Sequence, residues 1–286
     1  MDRNTKIVFM GEDAFSNIVL TSLLKRGYTI PLIVSPLYNN IIHKRLENTA
    51  VSYGIEYIRA EDVNSQIVIE KFKKIQPDLL VITHFEKLIK KSIIDIPRIG
   101  CLNLHPSLLP HYRGLAPQHW TIINGENETG ITIHFIDETA DTGNIVLQQK
   151  IALTNQMYVS DLQLVWAKLY QTAMCEAVEK VINGYKGIEQ DKTAGSYYGK
   201  LKPIQCKIDI NGSVNDAYNL IRGVSMPYHG AYIEMTDSFF IIWRAEVVSE
   251  IPLTKIGNIE IKNYNHYLSF YDGTLHITKF EIRNKL

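Results

Sequence analysis

The chain has 286 residues, 45% of them hydrophobic and 21% charged, which suits a globular protein of one large domain or a large and a small one. Lys+Arg and Asp+Glu are equal at 30 each, so no net field draws the whole molecule to nucleic acid or to an anionic membrane surface. The three cysteines, Cys101, Cys175 and Cys206, are far apart and form no disulfide framework, which fits a reducing cytoplasm, and no stretch approaches the ~18 apolar residues of a membrane span.

Lys6–Met10 is a short apolar run stopped by Gly11, with Asp13 placed to cap a helix over Ala14–Arg26 that Gly27 ends. Ile30–Val34 reads as a strand, followed by a polar turn around Tyr38–Asn40 and a helical pattern from Lys44 to Tyr53 closed by Gly54. Ile55–Ile58 is another strand; Ile67–Ile75 is amphipathic, Pro77-Asp78 breaks it, and Leu79–Thr83 is a buried strand. This alternation predicts an α/β domain with a mostly parallel, Rossmann-like sheet. Gly100–His105 adds a strand. Thr129–Asp137 and Asn144–Lys150 alternate with period two and read as an antiparallel addition joined by the turn Glu138–Gly143.

One long helix is then predicted from Ser160 to Asn183, N-capped by Ser160 or Thr154 and ended by Gly184. Lys186–Pro203 is polar and Gly-rich and reads as a linker. Beyond it come a short helix over Val214–Ile221 and alternating runs at Ala231–Glu234, Phe239–Val248, Tyr267–Tyr271 and Leu275–Ile282, with Asp272-Gly273 as a hairpin turn. The predicted organisation is a domain over 1–185, a linker over 186–203 and a small β-rich domain over 204–286.

Gly11 is not part of a G-x-G-x-x-G turn, and Glu12 and Asp13 would repel a phosphate there, so a structural strand–helix turn is favoured. The histidines form no H-E-x-x-H or Cys/His cluster, and no metal site is expected. The constellation with chemical content is Asn103, His105 and Asp141. Asn103 and His105 are i and i+2 at the C-terminal end of a strand, so both leave the same face where α/β sheets build their crevices. Pro106 and Pro110 restrict the backbone just after them. An amide and an imidazole can donate to a developing oxyanion, and a carboxylate can orient the imidazole or take a proton, without a Ser or Cys nucleophile. Spacing alone leaves a capped strand-end histidine open as the alternative.

The run Asn103-Leu104-His105-Pro106-Ser107-Leu108-Leu109-Pro110, then Tyr112-Arg113-Gly114 and Asp141-Thr142-Gly143, resembles the signature of formyltransferases that use N10-formyltetrahydrofolate. KIVFMG, NGENETGITIHFIDETADTGNIV, SYYGK and IRGVSMPYHGAY resemble further family stretches, in order along the chain. The resemblance implies a Rossmann-like catalytic domain followed by a small β-barrel-like (OB-like) domain. It also implies that Asn103 and His105 stabilise an oxyanion while Asp141 supports His105 and proton removal from a primary amine. For the pterin it implies largely backbone contacts from Phe85, Lys87, Leu88 and Ile89 and from His134, Asp137 and Ala140. HFEKLIKK departs there from the commoner small-residue, apolar version.

Within that family the acceptor expected is an amino sugar on UDP or dTDP, for surface polysaccharide biosynthesis. Methionyl-tRNA formyltransferases resemble the chain throughout but carry a longer basic loop where this chain has SPLYNNIIHKRLEN, with Lys44-Arg45 beside His43. Lys44-Arg45 read as a solvated helix start. Arg113 and Gly114, with Lys200 and Lys202, are expected on the acceptor side, and Tyr197, Tyr198 or Tyr228 could stack on the base. Trp120 reads as core. A formyl-folate deformylase, using water as nucleophile, is a further alternative. The small β domain would suit a homodimer contact.

Overall fold

The computed structural model describes residues 5–37, 44–191 and 193–285. The turn expected around Tyr38–Asn40, and His43, lie outside the described residues. In chain order the elements are β1 (Lys6–Gly11), α1 (Ala14–Lys25), β2 (Thr29–Pro36), α2 (Lys44–Tyr53), β3 (Glu56–Ala60), α3 (Gln66–Ile75) and β4 (Leu79–Thr83). There follow α4 (Lys91–Ile94), β5 (Gly100–His105), β6 (Arg113–Gly114), α5 (Pro117–Ile123), β7 (Glu128–Phe135), β8 (Ile145–Ala152), α6 (Val159–Leu169), α7 (Ala173–Ile182) and β9 (Tyr197–Tyr198). The chain finishes with α8 (Val214–Val224), β10 (Ala231–Glu234), β11 (Ser238–Ser249), β12 (Ile259–Lys262), β13 (Asn265–Phe270) and β14 (Gly273–Asn284).

The chain alternates between two compact units: Met1–Gly114 with Gly130–Lys150 and Val165–Tyr197, and Leu115–Thr129 with Ile151–Leu164 and Tyr198–Leu286. In the first, a seven-stranded sheet runs β3-β2-β1-β4-β5-β7-β8. β1 to β5 are parallel and β7 is antiparallel to β5. Parallel strands covered on both faces read as unbroken apolar runs, and β4, LLVIT, is buried along its whole length. On one face Val8, Met10, Leu32, Val34, Leu80 and Ile82 pack with α3 through Val68, Ile69 and Phe72. The strand order reverses between β1 and β4, the switch point of an open sheet.

Asp13 caps α1 as expected, accepting from Ser16 N–H at 2.9 Å. The buried Ser16 hydroxyl accepts from Glu12 N–H and donates to the Thr83 carbonyl at 2.8 Å, so the helix start is pinned to the end of β4. Gly27, at φ +87°, follows the helix in the left-handed region.

The single helix predicted from Ser160 to Asn183 is two, α6 and α7. Gln171 and Thr172 N–H bond the carbonyls three residues back, at 3.3 and 3.1 Å, and Thr172, a weak helix former, stands at the N-cap position of α7. The buried Tyr170 at this break directs its hydroxyl to His84 Nε2 at 3.0 Å. Neither Ser160 nor Thr154 caps α6; the N–H of Tyr158 is taken by the Asp161 carboxylate at 2.9 Å.

In the second unit an antiparallel sheet runs β10-β11-β14-β13-β12. Val214, Ala217, Ile221 and Val224 of α8 join Phe240, Ile242, Leu268, Phe270, Leu275 and Ile277 in one core. The expected Asp272 turn also fastens this helix, since its carboxylate accepts from Val214 N–H at 2.9 Å. β12, Ile-Glu-Ile-Lys, alternates but is only four residues long, two of them half-buried and two exposed, and is too short to be read as a strand from the sequence.

Candidate active site

Register brings the predicted residues together. Asn103 on β5 stands opposite His134 on β7, and His105 opposite Thr132. The Asn103 amide Nδ2 lies 3.2 Å from His134 Nε2. His134 Nδ1 lies 2.8 Å from the Phe135 carbonyl; that bond needs the ring proton on Nδ1, which leaves Nε2 to accept from the amide. One N–H of Asn103 is thereby used and the other remains to donate.

His105 is 4% exposed, and its Nε2 donates to the Tyr112 carbonyl at 2.8 Å. Its Nδ1 faces Asp141 Oδ1 at 3.6 Å, and His134 Nε2 faces the same oxygen at 3.5 Å. Asp141 Oδ2 accepts from Gly114 N–H at 2.9 Å. Burial pushes His105 below the usual imidazole range, against the upward pull of the Asp141 carboxylate. For Asp141 burial works upward, but His105, His134 and the Gly114 N–H outweigh it and hold the carboxyl well below the usual range. At neutral pH the site therefore offers a carboxylate, an imidazole nitrogen beside it and an aimed amide donor.

The proline-rich loop after β5 is held by side chains. Thr132 Oγ1 donates to the Ser107 carbonyl at 2.6 Å and accepts from Leu109 N–H at 3.1 Å, while Gln148 Nε2 reaches the Leu109 carbonyl at 2.6 Å. Ser107 Oγ donates to the His111 carbonyl at 2.8 Å. The backbone that receives His105 is thus fixed from β7 and β8.

Arg113 and Gly114, expected on the acceptor side, are engaged with the Asp141 turn: Arg113 Nε donates to the Asp141 carbonyl at 3.2 Å and Nη2 to Gln190 Oε1 at 2.8 Å. Of the residues expected along the pterin, Ile89 puts its side chain into the core, Phe85 packs against it, and Lys87 and Leu88 are exposed. Asp137 accepts from the N–H and hydroxyl of Thr139 and from the Thr142 hydroxyl, and Ala140 is exposed at the loop tip. Tyr197 and Lys200 are exposed. In the second unit Tyr198 stacks on Trp120 and accepts from Asn124 at 2.7 Å, and Tyr228 lies edge-on to His119 with its hydroxyl 2.5 Å from Gln163 Nε2. Trp120 packs against the core of that unit, as expected. Lys44 and Arg45 are exposed at the start of α2.

Sequence reasoning placed His134 on a strand but missed its side chain as a member of the cluster, and missed Gln190 altogether. Cross-strand register and the fold of a distant segment decide both. A second polar cluster fills the switch point: His84 Nδ1 lies 3.0 Å from Asp13 Oδ2, and Glu12 accepts from Glu86 N–H at 2.6 Å. Burial pushes the thiols of Cys101, Cys175 and Cys206 up to about 12, 11 and 11, so none is a thiolate nucleophile at neutral pH. Among the described residues no group of three or more His, Cys, Asp or Glu could hold a metal ion, and no helix is long and apolar enough to cross a membrane.

Residues 26–178 match the formyl transferase family, and residues 200–285 match the formyl transferase C-terminal domain. The chain belongs to the formyl transferase family. It is similar to the methionyl-tRNA formyltransferases of Ruminiclostridium cellulolyticum, 31% identical over 85% of this chain and 80% of that one, and of Clostridioides difficile, 29% identical over 98% and 93%. Its fold is similar to that of WlaRD, a sugar 3N-formyltransferase solved in the presence of dTDP and 5-N-formyl-THF (TM-score 0.75, 22% identity, 99% of each chain). It is also similar to an N-formyltransferase from Helicobacter canadensis in complex with folinic acid and dTDP-3-aminofucose (TM-score 0.72, 20% identity, 97% of this chain and 100% of that one). The protein is an N-formyltransferase.

Proposed function

We propose that this formyltransferase moves the formyl group of N10-formyltetrahydrofolate onto the primary amine of a 3- or 4-amino-deoxy sugar carried by UDP or dTDP. The observation that carries the chemistry is the convergence of His105 and His134 on the Asp141 carboxylate, with the Asn103 amide 3.2 Å from His134 Nε2. In this reading the second N–H of Asn103 donates to the formyl oxygen as the amine attacks the carbon. His105 Nδ1, backed by Asp141, takes the proton released from the amine nitrogen. The resulting imidazolium then stabilises the oxyanion, and the proton passes to N10 as the carbon–N10 bond breaks. Leu88, within the segment expected to meet the pterin, exposes an apolar side chain.

The acceptor reading rests on charge. Basic and acidic residues balance at 30 each, and the region where tRNA-directed relatives carry a basic loop contributes Lys44-Arg45 beside His43. A tRNA acceptor needs many phosphate contacts. A second reading, methionyl-tRNA formylation, is favoured by the 29–32% identity to curated enzymes of that name. The test is to incubate the protein with N10-formyltetrahydrofolate and a panel of 3- and 4-amino-deoxy sugar nucleotides, read by mass spectrometry, with charged initiator tRNA in parallel. A formylated sugar nucleotide supports the proposal. Formylation of the tRNA alone overturns the acceptor, and folate release without any amine indicates a deformylase.

A further inference from the structure

The segment after α7 does more than connect. Ile188 and Ile145 exchange both backbone hydrogen bonds at 2.8 Å, and Asn144 Nδ2 donates to the Lys186 carbonyl at 3.0 Å, so residues 186–188 lie along the start of β8. Further on, the Ser196 carbonyl accepts from Arg113 N–H at 2.9 Å and Ser196 Oγ from Tyr112 N–H at 2.9 Å. Within this strap Gln190 is 4% exposed. Its Nε2 donates to the Asp141 carbonyl at 3.0 Å and to the Gly143 carbonyl at 2.8 Å, while its Oε1 accepts from Arg113 Nη2 at 2.8 Å. Turning the amide over would set its oxygen against two carbonyl oxygens and its NH2 against a guanidinium, so one orientation satisfies every contact.

The turn so held is demanding. Asp141 adopts φ +59°, sparsely populated for a residue with a Cβ. A Cβ on Gly143 would lie 1.9 Å from the Phe135 carbonyl oxygen. Arg113 Nε bonds the Asp141 carbonyl from a second side.

We propose that Gln190 is a positioning residue for the reaction: its amide, locked by Arg113, ties the carbonyls of Asp141 and Gly143 and thereby keeps the Asp141 carboxylate aimed at His105 and His134. This rests on the reading that Asp141 serves formyl transfer. Gln190→Glu keeps the side-chain length and the Arg113 contact but turns a carboxylate oxygen toward the two carbonyls. It is expected to lower kcat on the order of 10–100-fold, the scale of a small misplacement of a reacting group, with KM for folate and amine little changed. Gln190→Met removes the bonds to both carbonyls and the Arg113 contact without adding charge; it should show a kcat loss of the same order and a lower melting temperature, with a cooperative transition still above the assay temperature.

In an Asp141→Asn background Gln190→Glu should cost almost nothing further, because the two act as one unit. The side-chain NMR signals of His105 and His134 should move in Gln190→Glu in the direction they move in Asp141→Asn. Additive losses, an intact kcat, a raised amine KM with kcat preserved, or unmoved imidazole signals would each overturn the proposal. Full turnover in Asp141→Asn would instead overturn the role given to Asp141, and the imidazole signals would still report whether Gln190 holds the turn.

Discussion

The Asn103 amide is oriented because His134 Nε2 accepts a hydrogen bond from one of its two N–H groups, which aims the other. Asn103→Ala should lose on the order of 10²–10³ in kcat, as for one oxyanion donor, with acceptor KM nearly constant. A loss confined to acceptor KM would contradict the assigned role. Glu12 makes a separate prediction: burial, with Glu86 and Asp13 nearby, pushes its carboxyl from 4.5 up to about 7 despite the Glu86 N–H. Between those values the folded state holds a proton that the unfolded state has lost, so stability falls as pH rises through this window. Glu12→Gln should melt like the native protein below pH 4.5 and above it beyond pH 7; equal melting temperatures at pH 8 would contradict this.

Among the elements, α1 is joined to β4 by one small hydroxyl. Ser16→Ala leaves the Thr83 carbonyl and the Glu12 N–H without that hydroxyl, at a cost of about 1–3 kcal/mol. Urea unfolding should show a lower midpoint with an unchanged m-value. An unshifted midpoint would mean that backbone packing alone holds the junction. The Asp13 cap and the run of β4 were readable in advance, because caps and apolar runs are written in neighbouring residues. The break between α6 and α7 was not, since Tyr170 at the break answers to His84, 86 residues away. The same holds for Gln190, which looked like linker because its partners lie at Arg113, Asp141 and Gly143.

At the scale of the whole molecule the even charge of 30 basic and 30 acidic residues bears on the proposed acceptor. A tRNA acceptor gripped through 6–10 phosphates would lose about 10³–10⁵ in affinity between 50 and 200 mM salt. A sugar-nucleotide acceptor, with two phosphates, should show only a shallow rise in KM over that range. Steady-state kinetics across the salt series decides it, and a steep dependence would return the tRNA reading to first place.

The sequence by itself determined the strand–helix alternation, the mixed α/β class and the family, and it singled out Asn103, His105 and Asp141 as candidates. The alternation is carried by local periodicity and the family by motifs such as Asn103–Pro110 whose residues are close in the chain, whereas Asp141, 36 residues beyond His105, was joined to them through the resemblance. Only the tertiary structure decided that His134 completes the cluster, that Arg113 and Gly114 turn inward to Asp141, and that Gln190 clamps its turn. Those facts depend on strand register and on side chains reaching across tens of residues, and hydrogen bonds of that kind leave no period in the sequence.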